Sequence, residues 1–190
     1  RGKITSNFPS TNPEDPRGTL LIQDGFLVQD DKVIPLQNIS VNLQNENGER
    51  LAVIDAPFLK AQATGVFRYE QLADILLTEI NKYFALPDIQ YKSITGPYRF
   101  ALDGKVANHA VLKAFVPDLT RMDTVRFSMK VDSQQDTTLR LQLQAPLVEY
   151  DSILVQQAGF TLAGANNKAN YNARVDKVTT GTTKIERTFL

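Results

Sequence analysis

A mainly β fold with one long amphipathic helix, an α+β arrangement, is what this sequence predicts, on three observations. Alternating apolar and polar residues recur through nearly all of its 190 residues, and one long segment, 69–86, switches to three- and four-residue steps. An alternating strand that runs into Ala-Pro also occurs once in each half, at Ala56-Pro57 and at Ala145-Pro146. Aligning the Ala-Pro pairs puts Ile54 over Leu143 and Ala52 over Leu141. Repetition of simple strands builds long surfaces and grooves, whereas a solitary catalytic centre gives no reason for it. The strands are expected to be antiparallel and to form a curved or sandwich-like sheet. They fall into two strand-rich units, 1–86 ending in the helix and 87–190, or run as one continuous sheet through both.

The chain opens on a strand over 3–8 and a Pro/Asn-rich turn region over 9–18 that contains Glu14 and Asp15. Short strands follow at 19–23 and 25–29, closed by Asp30-Asp31, and then at 32–36. In 37–43, Ile39, Val41 and Leu43 share one face while Asn38, Ser40 and Asn42 share the other. Asn47-Gly48 supplies the positive φ angles of a tight hairpin and returns the chain into 51–56. Beyond Pro57, Leu59, Ala61, Ala63 and Gly65 put small residues on the apolar side, so the helix is expected to pack near that strand.

The helical stripe over 69–86 consists of Leu72, Ile75, Leu76, Ile80, Tyr83 and Phe84, about four turns ending before Pro87. Its polar face is not rich in Lys and Arg, which favours packing on a sheet over lying on a membrane. In the second half, 98–103 alternates, 110–115 reads as a short helix, and Val125, Phe127, Met129 and Val131 form one strand face. A polar turn at 132–136 reverses the chain into Leu139, Leu141, Leu143 and Ala145. Further strands are expected at 152–155, 159–163, 171–175 and 184–190.

Composition excludes several function classes. The chain has 21 basic and 21 acidic residues, a net charge of +0, and so lacks the field that draws nucleic acid; no nucleic-acid partner is expected. Cysteine is absent and His109 is the one histidine, which leaves no thiolate nucleophile and no His pair for zinc. There is no Walker-type loop, dinucleotide fingerprint, HExxH or EF-hand spacing. Accordingly no catalytic residue, metal site or cofactor is assigned. An enzyme would have to gather His109 with an acid such as Asp103 or Asp118. Glu149 and Asp151 could act as paired acids in the glycosidase manner, but alternation reads them as the polar face of a strand.

Sheets with one apolar face must hide it, at roughly 25 cal/mol per Å² left in water. One long helix cannot cover some ten strands. The missing cover is either packing between the two halves or a lipid-like ligand. The first option gives a β-sandwich surface-binding or adhesion module that recognises ligands through Asn/Asp-rich loops such as 44–48 and 164–168. The second gives an open apolar groove lined by Ile39, Val41, Leu43, Phe127, Met129, Leu141 and Leu143.

The runs Gly2-Lys3-Ile4-Thr5-Ser6, Asn12-Pro13-Glu14-Asp15-Pro16-Arg17-Gly18, Leu59-Lys60-Ala61-Gln62-Ala63-Thr64-Gly65-Val66-Phe67, Phe100-Ala101-Leu102-Asp103-Gly104-Lys105-Val106 and Pro146-Leu147-Val148-Glu149-Tyr150-Asp151 together resemble the TamB/AsmA-like envelope proteins of Gram-negative bacteria. The likeness covers nearly the whole chain and rests on pattern, with no catalytic signature to carry over. It implies a non-enzymatic segment of a periplasm-spanning protein, anchored in the membrane through a segment outside this chain. It also implies phospholipid or outer-membrane assembly proteins as partners. The first residues neither start with Met nor lead into a secretory segment, so a piece of a larger chain is expected, with the strands at 3–8 and 184–190 as sheet edges.

Overall fold

Strands that share an alternation phase can zip side by side with every apolar residue on one face. The computed structural model describes residues 2–9, 12, 15–29, 31–83, 90, 92, 94, 96–166 and 168–189. Glu14, Asp30, Phe84, Leu86, Asn167 and Leu190, each given a place by the sequence reading, lie outside them. The strands of the first half are β1 (Lys3–Asn7), β2 (Gly18–Gln29), β3 (Lys32–Glu46), β4 (Glu49–Asp55) and β5 (Leu59–Val66). Those of the second are β6 (Arg99–Val106), β7 (Leu119–Met122), β8 (Val125–Asp132), β9 (Thr137–Tyr150), β10 (Ile153–Ala165), β11 (Lys168–Thr180) and β12 (Thr183–Phe189).

All twelve strands belong to one open antiparallel sheet. The order follows the chain from β1 to β6 and then from β8 to β12, while β7 pairs with the far end of β9. The halves meet at β5 and β6, which pair from Leu59 opposite Val106 to Val66 opposite Arg99. Among the described residues no second sheet faces the first, so the sandwich-like arrangement gives way to a single sheet. The β5–β6 pairing that joins the halves is made across 67–98 and owes nothing to a tight turn, whereas within each half neighbours such as β3–β4 and β11–β12 are joined by two residues and must pair with each other. Asn47 and Gly48 make such a turn with φ of 53° and 87°.

Three pairs of short strands expected from alternation are each one long strand, the third being 152–155 and 159–163, which are both in β10 with Gln157 at φ 52° between them. In β2 the apolar phase runs Leu20, Ile22, then Gly25 and Leu27. In β3 it runs Ile34, Leu36, then Ile39, Val41 and Leu43. The phase breaks are absorbed by Asp24 (φ 51°) and Gln37 (φ 54°), where the β2–β3 register shifts. An inserted residue in the left-handed region lets the next apolar side chain return to the same face without ending the strand.

The long helix expected over 69–86 is shorter among the described residues. A 3-10 turn of three residues (Tyr69–Gln71) leads into α1, ten residues from Leu72 to Asn81. At its end the Tyr83 N–H bonds to the Ile80 carbonyl, tightening the last turn and turning Tyr83 toward the sheet. The second helix, α2 (Ala110–Phe115), lies where the sequence places it and is capped by His109, whose Nδ1 accepts the Val111 N–H at 3.2 Å. Asp151 sits with φ 51° in the β9–β10 turn and not on a strand, so it does not share a strand face with Glu149.

The core lies between α1 and the apolar face of the sheet. Ile75, fully buried, belongs to one buried cluster with Ala63, Phe67, Tyr98, Phe100, Val131, Leu139 and Leu162. The small residue expected to admit the helix, Ala63, is in this cluster. Phe67 packs edge-on against Tyr69 and Phe100, with ring centroids 5.5 and 5.9 Å apart.

Candidate functional site: the apolar face of the sheet

Opposed side chains on neighbouring strands stand about 5 Å apart. The register therefore strings them into rows at right angles to the strands. One row crosses nine strands and is apolar throughout: Leu20, Val41, Ile54, Ala61, Gly104, Phe127, Leu143, Phe160 and Ala173. At the ~4.8 Å strand spacing it runs ~38 Å. The next row holds Gly18, Leu43, Ala52, Ala63, Leu102, Met129, Leu141, Leu162 and Tyr171.

The seven residues chosen from sequence all lie on this face. Val41, Phe127 and Leu143 are in the first row, Leu43, Met129 and Leu141 in the second, and Ile39 stands opposite Ile22 one row further out. The structure separates them by cover. Met129 and Leu141 pack against the Ile75 cluster, whereas Leu143 is 38% exposed. The internal echo has a counterpart here. Ile54 and Leu143 share the first row and Ala52 and Leu141 the second, as the Ala-Pro alignment pairs them. Leu20, Ile54 and Phe160 were not singled out, although their signal lay in the alternation of 19–23, 51–56 and 159–163.

No member of the first row is fully buried, and apart from Phe160, which packs against the Ile75 cluster, this stripe is left open between two covers. α1 roofs one side. At its start the Tyr69 hydroxyl donates to the Gln44 carbonyl at 2.7 Å, and just past its end the Tyr83 hydroxyl bonds to Thr138 Oγ1 at 2.8 Å. The Tyr83 ring lies over Gly164, where any Cβ would collide with it. On the other side α2 packs against β3 and β7, and Gln29 Nε2 donates to the Ala114 carbonyl at 2.9 Å. Phe127 lies over Gly104 in the same way, which lets a large ring lie flat in the open stripe.

The roof contains the one fully buried charged side chain among the described residues. Glu79 Oε1 accepts from the Tyr98 hydroxyl at 2.5 Å and from Lys82 Nζ at 2.6 Å, while Oε2 has no partner. Burial, followed by the bond to the Glu79 carboxylate, pushes the Tyr98 hydroxyl far above the ordinary tyrosine range.

The residues weighed for catalysis do not converge. His109 engages the Val111 N–H and the Phe58 ring, and among the described residues it is bonded to neither Asp103 nor Asp118. Asp118 instead accepts from the Tyr150 hydroxyl at 3.2 Å. Comparison with protein-family models, with curated proteins and with solved structures gives no match to this chain.

Proposed function

We propose that this chain is a non-enzymatic segment of a periplasm-spanning cell-envelope protein. In this reading its apolar sheet face forms a trough for phospholipid acyl chains or for handing on outer-membrane proteins during assembly. The observation that carries the reading is the unsealed row from Leu20 to Ala173. A closed core would bury most of its members, yet each stays partly exposed. Two further observations support it. The chain exposes 12288 Å², whereas a compact protein of its 21.2 kDa exposes about 9,100 Å². The sheet also curls: α2 touches both β3 and β7, although β7 pairs with β9, which lies on the other side of β6 from β3. The resemblance to TamB/AsmA-like proteins fits this geometry, with the membrane anchor outside the chain.

Native mass spectrometry before and after exposure to phospholipid tests the reading. Lipid adducts are expected on the parent and are expected to vanish on Val41→Asp or Phe127→Asp, with the fold intact by circular dichroism. A lipid-free parent, or variants that unfold without any lipid having been bound, would overturn it.

A further inference from the structure

The opposite face of the sheet carries an arrangement that neither the trough nor the fold explains. Lys60, Lys105 and Arg126 stand directly opposite one another on β5, β6 and β8. Four residues along the strands, Lys130 and Arg140 are likewise paired on β8 and β9. Like charges in directly opposed positions destabilise a sheet. Lys60 is relieved by Asp55 at 2.8 Å, but among the described residues Lys105, Arg126, Lys130 and Arg140 have no carboxylate at ion-pair distance. All five cations are exposed, on a chain whose net charge is +0.

Between the two cationic rows runs a row of short polar side chains: Gln62, Asp103, Ser128, Gln142, Thr161 and Asn172. Two surface hollows, of about 420 and about 700 Å³, share Asp103. The first is lined by Lys60, Gln62, Lys105 and Arg126, and the second by Lys130, Arg140 and Gln142, each with further residues. The face is thus a polar gully with cationic banks.

We infer that this gully binds an acidic glycan, a polyhydroxylated chain bearing carboxylate or phosphate groups. The banks match the charges, and the amides, hydroxyls and carboxylate of the floor both donate to and accept from sugar hydroxyls. The other linear or flat anions fit less well. None of the bank and floor residues named is aromatic, and Tyr171, which also lines the second hollow, belongs by register to the apolar face, so these positions offer nothing to stack a base or enter a bilayer. The strand backbones are already paired with each other, so a peptide laid on the face gains no ladder. Asp103 at the centre is repulsive to a bare polyanion and useful to a hydroxylated one.

Titration of the fluorescently labelled chain with polygalacturonate, beside polyglutamate, neutral dextran, single-stranded DNA and phosphatidylglycerol vesicles, tests this. Polygalacturonate is expected to bind saturably and dextran not. Lys105→Gln with Arg126→Gln, or Lys130→Gln with Arg140→Gln, is expected to weaken binding about tenfold, the loss of two charge-assisted contacts. Asp103→Ala is expected to weaken polygalacturonate and to strengthen polyglutamate. Melting midpoints at or above the parent's show that these variants fold, and the single Lys130→Gln serves if a double variant does not. No saturable polygalacturonate binding would overturn the inference, as would indifference to these substitutions. Equal or tighter binding of polyglutamate, DNA or vesicles would overturn it too.

Discussion

At the residue scale the most informative group is Glu79. A carboxylate sealed under a helix is costly, and the Tyr98 hydroxyl and Lys82 ammonium offset that cost only if both stay in place. Tyr98→Phe removes one donor and leaves the charge, so a loss of about 2 kcal/mol in urea unfolding is expected. Glu79→Leu combined with Tyr98→Phe removes the whole polar pair. That double variant is expected to recover most of the stability, a non-additivity that a merely space-filling Tyr98 would not show. The same pair sets a pH limit. The hydroxyl's folded-state pKa is raised above its ordinary 10.0, so its contribution is complete below that pH and is lost as pH rises beyond it. Melting above pH 10.0 should fall faster for the parent than for Tyr98→Phe.

Elements show where sequence reading works and where it stops. Alternation assigns Ile39, Val41, Leu43, Phe127, Met129, Leu141 and Leu143 to one face because a pleated strand has a period of two. It also splits β2, β3 and β10, because an irregularity at Asp24, Gln37 or Gln157 looks like a turn when only phase is visible. Periodicity finds α1 and overextends it, since nothing local says that Tyr83 leaves the helix to seat on Gly164. That contact lies between residues far apart in the chain, and its only trace in sequence is a glycine in a strand. Gly164→Ala is accordingly expected to unseat the end of α1. Amide hydrogen exchange should rise through 72–81 while β8 and β9 stay protected. Uniform loss of protection across the sheet would show instead that α1 and the sheet open as one unit.

For the whole molecule, strand direction limits how copies can associate. Along the path from β1 to β12, leaving out β7, eleven strands alternate in direction, so β1 and β12 run the same way. A second copy added head to tail with its apolar face on the same side would set β12 against β1 in parallel. Turning the copy about the sheet normal sets β12 against β12, or β1 against β1, in the antiparallel pattern of the rest of the sheet. Self-association through one edge therefore stops at a two-fold dimer, whereas pairing at both edges alternates β12–β12 with β1–β1 contacts and grows further. Ile185, 52% exposed on β12, is the place to test it, because a lysine on an edge strand opposes pairing without touching the core. Sedimentation velocity is expected to show a dimer in the parent weakened by Ile185→Lys, with melting unchanged. A dimer indifferent to Ile185→Lys and to the matching Ile4→Lys on β1 would place the contact away from the edges. Species growing beyond the dimer would mean that both edges pair, either in alternating antiparallel contacts or by parallel head-to-tail addition.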